Sequence, residues 1–264
     1  MTVANFGEAA KSIHGLPEVA QIRAVTLGNL CKSAQSVDDP RNRFRLGAVI
    51  FDLDGVLADS EPSWDDIDAK LLSEYGVAYR GEHHREVLGV SYKASVEFFK
   101  KIFGVNASTE ELMKRRGEIA TELFANRIGL FPHVKEILEQ LRDMKLRLAV
   151  ATSSVSASAR PFLDRHQLTS FFDVIITGDE IERGKPAPDI YLRAAEKLGV
   201  APEVCLVIED SLSGVSAAKA ANMPVAAIPD RRFVDPREYD KKADYVLNDL
   251  SEIPSLVRRV DAVD

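Results

Sequence analysis

The fold is decided by Ala48-Val49-Ile50-Phe51-Asp52-Leu53-Asp54-Gly55, an apolar run that ends abruptly in two acidic residues. Apolar side chains at consecutive positions are typical of a strand that is buried on both faces, as in a parallel sheet. Helical patterns, with apolar residues at three- and four-residue steps, lie between further runs of this kind. This alternation predicts an α/β fold with a doubly wound parallel sheet. The other predicted strands are Leu146–Val150, Val174–Ile176, Val204–Ile208, Val225–Ile228 and, shorter, Tyr245–Leu247.

The composition limits the kinds of partner that the chain can have. Its 264 residues carry 34 Lys and Arg against 41 Asp and Glu, which gives a net charge of −7. An acidic balance argues against broad contact with nucleic acid or anionic lipid, because both require a basic face. No apolar run approaches the roughly 18 residues that span a bilayer, and the N-terminus lacks a signal-peptide pattern. We therefore expect a cytoplasmic protein with no nucleic-acid or membrane partner, as a monomer or a weak homo-oligomer.

Two parts of the chain do not follow the alternation of strands and helices. Residues 1–46 contain a weakly amphipathic stretch and then a polar, turn-rich linker, and we expect an N-terminal extension there. From residue 59 to residue 128 the pattern is helical throughout, and Ser108 with Glu111 forms the capping-box signature of a helix start. We expect residues 59–128 to fold as a small helical cap over the end of the first strand. The sheet domain then consists of residues 47–58 and 129–264.

Polar residues follow four of the predicted strands. In open α/β sheets ligands bind beyond the carboxyl ends of the strands, so we expect these residues to lie on one rim. Four of them are acidic, and like charges gathered at one place are costly without a cation. Carboxylate oxygens around an open position suit Mg²⁺. The rim residues are Asp52 and Asp54 after the first strand, Thr152 and Ser153 after the second, Lys185 after the third, and Glu209 and Asp210 after the fourth.

The residue types on this rim suit phosphoryl transfer. An aspartate beside Mg²⁺, such as Asp52, is a competent nucleophile toward phosphorus and would form an aspartyl-phosphate. Asp54 can protonate the leaving oxygen and later deprotonate the attacking water. Lys185 and Thr152, together with the metal, can supply positive charge and hydrogen-bond donors to the phosphoryl oxygens. Gly55 allows the chain to turn sharply, so that both acids face the same pocket.

Four short motifs at these strand ends resemble those of the haloacid-dehalogenase (HAD) superfamily. They occur in the family's order, and the resemblance covers roughly residues 46–250. It implies a Rossmann-like core with an inserted helical cap. The motifs are Asp52-Leu53-Asp54-Gly55-Val56-Leu57 with Asp59-Ser60-Glu61, Ala151-Thr152-Ser153-Ser154, Gly184-Lys185-Pro186-Ala187-Pro188-Asp189, and Val207-Ile208-Glu209-Asp210-Ser211.

The same resemblance assigns roles to the rim residues. It implies that Asp52 is the nucleophile and Asp54 the general acid/base, and that Thr152 and Lys185 bind the phosphoryl group. The Mg²⁺ ligands that it implies are Asp52, the backbone carbonyl of Asp54, Asp210, and Glu209 directly or through water.

The inserted helices resemble the cap of the subfamily that includes β-phosphoglucomutase, phosphoglycolate phosphatase and sugar-phosphate phosphatases. An acid at position 54 favours phosphate esters, because cleavage of a carbon–halogen bond needs no protonated leaving oxygen. We therefore expect a Mg²⁺-dependent phosphatase of a small phosphorylated metabolite, with a sugar or polyol phosphate favoured. We expect Trp64 and Tyr92 of the cap, and Ser153 on the rim, to contact the substrate.

Two alternatives remain. A hexose-phosphate mutase like β-phosphoglucomutase must hold a bisphosphorylated intermediate, which requires a second set of cations. Four positions where the mutase pattern has basic or proton-handling side chains hold other residues here, although cations of the cap could compensate. The second alternative is a catalytically inactive binding protein with the same fold. The four positions are Trp64, Leu88, Tyr92 and Val155, and the compensating cations are Arg85, Lys93, Arg115 and Arg116.

Overall fold

The computed structural model describes residues 45–79, 83, 87 and 92–261. Within this part of the chain, six parallel strands form one sheet in the order β3-β2-β1-β4-β5-β6. All the predicted strands are present, which confirms the fold class. The extension predicted for residues 1–46 lies almost wholly outside the described residues. The strands are β1 Ala48–Phe51, β2 Arg147–Ala151, β3 Val174–Ile176, β4 Cys205–Glu209, β5 Val225–Ala227 and β6 Tyr245–Val246.

Helices cover both faces of the sheet, as a doubly wound fold requires. Alternate residues of β1 enter two different apolar clusters, Val49 and Phe51 on one face and Ala48 and Ile50 on the other. Both faces are therefore buried, which explains the continuous apolar run in the sequence. The helices are α1 Glu61–Ser73, α2 Tyr92–Phe103, α3 Thr109–Asn126, α4 Val134–Asp143, α5 Ser156–Arg165, α6 Asp189–Leu198, α7 Leu212–Ala220 and α8 Ile253–Asp261.

The register of the central strands aligns their carboxyl ends. Phe51, the last residue of β1, pairs with Val150 of β2 and with Ile208 of β4. The residues that follow these three positions therefore emerge at the same edge of the sheet. Strand β4 runs one residue further than predicted, because Glu209 still pairs with Ala227 of β5.

Helices α1, α2 and α3 lie between β1 and α4 in the chain and pack on one another as the predicted cap. Helix α3 begins with the predicted capping box, in which the Ser108 side chain accepts from the Glu111 amide and the Glu111 carboxylate accepts from the Ser108 amide. The two connections to the sheet domain meet where the amide of Asp59 donates to the carbonyl of Gly129 at 3.0 Å. The boundaries at residues 59 and 128 stay a prediction.

No helix among the described residues has both the length and the apolar character needed to cross a membrane.

Candidate active site

Asp52 is the first residue beyond β1, and its amide still donates to the carbonyl of Ile208 at 3.0 Å. Its carboxylate is held from two sides: one oxygen accepts from the amide of Leu53 at 2.7 Å, and the other lies 2.9 Å from the Lys185 ammonium. Burial raises the pKa of Asp52 to about 8, although the neighbouring Lys185 ammonium opposes the shift. Because its pKa is raised, the Asp52 carboxylate ionises at neutral pH only if additional positive charge lies beside it.

Lys185 comes from the loop before α6 and reaches into the centre of the rim. Its ammonium is 2.7 Å from Glu209 and 2.9 Å from Asp52, and it lies 5.1 Å from the centre of the Tyr191 ring. Burial lowers the pKa of this lysine, but the two carboxylates outweigh burial and hold the pKa above its usual value. Lys185 is therefore a fixed positive charge with only 3% of its surface exposed.

Glu209 is completely buried, and both of its oxygens are engaged. One oxygen accepts from Lys185 and from the Tyr191 hydroxyl. The other accepts from the amides of Asp210 and Ser211 and from the Ser211 hydroxyl, all at 3.0–3.1 Å. Burial opposes ionisation, but Lys185 and these hydrogen bonds keep the pKa of Glu209 below its usual value. These contacts fix Glu209 as an anion that orients the lysine.

Two glycines make room for these carboxylates. A Cβ at Gly214 would fall 1.6 Å from a Glu209 oxygen, and a Cβ at Gly55 would fall 2.0 Å from an Asp210 oxygen. Gly55 also has a φ of 73°, a conformation that residues with a side chain rarely adopt. The chain can therefore turn away from β1 at Gly55 while its backbone lies directly against Asp210.

The carboxylates of Asp52, Glu209 and Asp210 form a buried acidic cluster, in which one oxygen of each lies within 4.8 Å of the others. Among the described residues, the ammonium of Lys185 contacts two of these three carboxylates, Asp52 and Glu209, so negative charge is in excess within this cluster. Such a cluster either keeps a proton, as the raised pKa of Asp52 indicates, or binds a cation. Because the donors are hard oxygens, the cluster could bind a divalent metal ion such as those that prefer carboxylates.

The carboxylate of Asp54 accepts four hydrogen bonds. One oxygen accepts from Ser154 at 2.7 Å and Thr152 at 3.3 Å, both just after β2. The other accepts from Ser60 at 2.8 Å and from the indole N–H of Trp64 at 3.3 Å. Asp54 thus joins the sheet domain to the first residues of the cap. The predicted metal contact of Asp54 through its backbone carbonyl stays a prediction.

The other predicted residues differ in how far the structure brings them to the site. Thr152 is fully buried, and its hydroxyl also accepts from the Ser154 amide at 3.0 Å. Ser153 is half-buried on the same turn, and its backbone packs so closely on Gly178 that no Cβ would fit there. Trp64 reaches Asp54 from α1. Tyr92 begins α2, but its side chain lies outside the described residues.

Three residues that contribute to the site were not predicted. Ser60 and Ser154 each donate a short hydrogen bond to Asp54, and Tyr191 donates to Glu209. Both serines stand inside the motifs quoted above, so their position near Asp54 was available as a signal. Tyr191 gives no such signal, because its place in the apolar pattern of α6 predicts only a core residue.

Comparison with known families identifies the four motifs. The family model of haloacid dehalogenase-like hydrolases matches residues 49–228, a range that contains all four. A phosphorylated carbohydrates phosphatase of Thermotoga maritima is 38% identical over 178 residues, which are 67% of this chain and 82% of that relative. Hexitol phosphatase B of Escherichia coli K12 is 31% identical over 214 residues, or 78% of this chain and 93% of that relative.

A solved structure is similar to this chain in both fold and sequence. The crystal structure of CbbY from Rhodobacter sphaeroides in complex with phosphate matches with a TM-score of 0.70 and 28% identity. The match covers 79% of this chain and 96% of that one. The resemblance drawn from the four motifs is therefore confirmed.

Proposed function

Because the chain belongs to the haloacid dehalogenase-like hydrolase family, we propose that it is a Mg²⁺-dependent phosphatase of a small phosphorylated metabolite, with a sugar or polyol phosphate favoured. It is a phosphoric monoester hydrolase of this family, as its named relatives are phosphatases. The observation that carries the proposal is the position of Asp52 beside Lys185 in a cluster with excess negative charge.

The buried cluster accounts for how a phosphoryl group would be held. Lys185 is close enough to Asp52 to contact a phosphoryl oxygen while Asp52 approaches phosphorus. Asp52, Asp210 and the backbone carbonyl of Asp54 would hold Mg²⁺, and Glu209 would hold it directly or through water. When bound, the ion supplies positive charge to the phosphoryl oxygens and favours the ionised form of Asp52.

Asp52 and Asp54 would divide the chemistry between them. A carboxylate oxygen of Asp52 forms a bond to phosphorus as the ester P–O bond breaks, and the proton of Asp54 passes to the leaving oxygen. Water then attacks the aspartyl-phosphate, Asp54 takes a proton from it, and the Asp52 O–P bond breaks. Hydrogen bonds from Thr152 and Ser154 hold the Asp54 carboxyl group in place. Asp54 would therefore act as the acid and base while Asp52 acts as the nucleophile.

The relatives support a phosphorylated carbohydrate as substrate. One is named a phosphorylated carbohydrates phosphatase and another a hexitol phosphatase. A crystal structure of a CbbY variant from Rhodobacter sphaeroides contains xylulose-1,5-bisphosphate. We propose that Thr152, Ser153 and Lys185 contact the phosphate, and that Trp64 and Tyr92 lie on the cap side of the substrate. A cytoplasmic location and a monomer or weak homo-oligomer stay predictions from the sequence.

The contacts of the cap favour a phosphatase over a hexose-phosphate mutase. Of the cations that could hold a second phosphate, Arg85 lies outside the described residues. The other three are ion-paired within the cap; the pairs of Lys93 and Arg115 are exposed and cost little to break, but Arg116 could bind a second phosphate only by breaking a buried pair. The pairs are Lys93 with Glu97, Arg115 with Glu74 and Glu118, and Arg116 with Asp68.

The test is phosphate release by the full chain with Mg²⁺, measured on hexose, hexitol and pentulose phosphates, glycerol phosphate and p-nitrophenyl phosphate. We expect release that stops on chelation, is highest with a sugar or polyol phosphate, and is lost in Asp52→Asn. The control variant Asp143→Asn changes an exposed acid on α4 and should keep full activity.

Two results would overturn the proposal. Conversion of one hexose phosphate isomer to another with little free phosphate would identify a mutase. No turnover of any ester, with Mg²⁺ present and the protein folded, would identify a binding protein.

A further inference from the structure

We propose that Trp64 is a positioning residue for Asp54, and that a buried ion pair in the cap, Arg116 with Asp68, holds Trp64 in place for this role. The inference rests on the proposed function, because it assumes that Asp54 is the general acid. It goes further in connecting the interior of the cap to the proton that Asp54 delivers.

Two residues at the start of the cap contact Asp54, and Trp64 is the one whose side chain also reaches the interior of the cap. The indole N–H of Trp64, on α1, donates to one Asp54 oxygen at 3.3 Å, and Ser60 donates to the same oxygen at 2.8 Å. Ser154 and Thr152 hold the other oxygen from the sheet domain. A carboxyl group with donors on both oxygens has little freedom to rotate. Its orientation toward the leaving oxygen therefore depends on both domains.

Trp64 is itself held by a residue in the interior of the cap. The guanidinium of Arg116, on α3, lies 4.6 Å from the centre of the Trp64 ring, a distance at which a cation is attracted to the face of an indole. The guanidinium itself is fixed by two hydrogen bonds to Asp68 at 2.6 and 3.0 Å, and by a third to Ser95 of α2 at 3.0 Å. Trp64 and Asp68 of α1 and Ser95 of α2 thus all contact the Arg116 guanidinium of α3.

The stability of the cap alone does not require a buried ion pair at this position. Asp68 is fully buried and Arg116 is 6% exposed, and an apolar pair of similar size would often stabilise a helical interior as well as a buried ion pair does. What an apolar pair would lack is a planar, charged group with a fixed orientation on the face of Trp64. The orientation of the ring decides whether its N–H reaches Asp54.

The test compares two leaving groups. An alkoxide must receive a proton as it leaves phosphorus, whereas nitrophenolate is stable as an anion and depends much less on the acid. We use kcat/KM, which includes phosphoryl transfer to Asp52 and excludes the later attack of water. The substrates are p-nitrophenyl phosphate and the sugar or polyol phosphate that the wild type hydrolyses fastest.

Trp64→Phe removes the N–H but keeps an aromatic ring under Arg116. We expect kcat/KM for the sugar or polyol phosphate to fall about 10-fold, a part of the roughly 10²–10⁴-fold that general acid–base catalysis supplies. The value for p-nitrophenyl phosphate should change by less than about 2-fold. Asp54→Asn should show the same preference more strongly. Arg116→Lys keeps the charge but loses the planar group, and it should shift the ratio in the same direction.

A matched control is Tyr79→Phe, which removes one donor elsewhere in the cap, where Tyr79 donates to Asp65 at 2.9 Å. It should leave both substrates unaffected. An equal loss on both substrates in Trp64→Phe, or no loss, with melting unchanged, would overturn the inference while the proposed function stands. If the wild type hydrolyses neither substrate, the proposed function itself fails.

Discussion

Two regions of this molecule bury charge, and they do so differently. At the rim of the sheet, Asp52, Glu209 and Asp210 form one acidic cluster, and among the described residues the ammonium of Lys185 contacts the first two, so negative charge is in excess within the cluster. In the cap, the carboxylate of Asp68 is matched by the guanidinium of Arg116 with two hydrogen bonds.

This difference in charge balance distinguishes a ligand-binding site from a structural ion pair. Buried charges are costly to desolvate, and a balanced pair such as Arg116 and Asp68 recovers that cost within the protein. In the acidic cluster, the contact with Lys185 does not offset the cost of burying the Asp52 carboxylate, so the pKa of Asp52 stays raised. We conclude that an excess of buried charge, rather than burial alone, indicates where a cation and a phosphoryl group would bind.

The largest expected effect comes from removing the cation of each region in turn. Lys185→Met should abolish phosphatase activity and lower the free energy of unfolding by about 3–5 kcal/mol, because it leaves buried carboxylates unpaired. Arg116→Met should destabilise the protein by a similar amount, since it leaves Asp68 unpaired. Millimolar Mg²⁺ should restore a large part of the loss in Lys185→Met and none in Arg116→Met. Denaturant unfolding with and without Mg²⁺ measures this, and equal restoration of both variants would contradict the comparison.

Removing metal from the unchanged protein should have the next largest effect. A ligand at 100 times its dissociation constant stabilises the folded state by about 2.7 kcal/mol. Chelation should therefore lower the melting temperature of the wild type, and the same treatment should leave Asp210→Asn almost unchanged. Ser95→Ala, a change inside the cap, serves as the control that keeps the response to Mg²⁺. A wild type that melts identically with and without Mg²⁺ would remove the basis for a metal site.

The pH dependence of the metal-free protein sharpens the comparison. Burial raises the pKa of Asp52 from its ordinary 3.8 to about 8 in the folded protein. Between these values the folded state holds a proton that the unfolded chain has lost, so stability falls as pH rises through this window. The contribution approaches about 1.4 kcal/mol per pH unit.

Denaturant unfolding between about pH 5 and 8, with a chelator present, measures this slope. Asp52→Asn should have a flatter slope than the wild type, and Mg²⁺ should flatten the slope of the wild type by favouring the ionised carboxylate. Parallel slopes for the two proteins would show that Asp52 does not keep a proton in the folded state.

The sequence predicted the strands and the acids at their ends, but it did not predict the contacts between residues of distant helices. Strand β1 and the acids after it were predicted correctly, because a continuous apolar run that stops at charged residues is typical of a buried parallel strand reaching the edge of its sheet. The capping box at Ser108 was also predicted, since its two hydrogen bonds are local.

Contacts that depend on the packing of distant helices were not predicted. Arg116 and Asp68 are 48 residues apart, and only the folded cap brings them together under Trp64. From the sequence, Arg116 is a possible cation for a second phosphate, whereas in the structure it is paired. Similarly, no periodicity indicates that Tyr191 donates to Glu209.

The smallest expected effect tests that last contact. Tyr191→Phe removes the hydroxyl that Glu209 accepts from but keeps the ring beside Lys185. We expect a loss of about 1.5 kcal/mol in the free energy of unfolding, at the lower end for a hydrogen bond to a charged group because Lys185 still contacts Glu209, and a reduced but measurable activity. Loss of all activity in a folded variant would show that Tyr191 has a larger role than holding Glu209.

The most direct test of the central claim is to find the residue that carries phosphate during turnover. The full chain is mixed with Mg²⁺ and a saturating sugar or polyol phosphate labelled in its phosphate, quenched in acid within one turnover, and digested for peptide mapping. We predict an acid-stable label on the peptide that contains Asp52, and no label in Asp52→Asn. A label on another residue, or turnover with no labelled peptide at all, would contradict this mechanism.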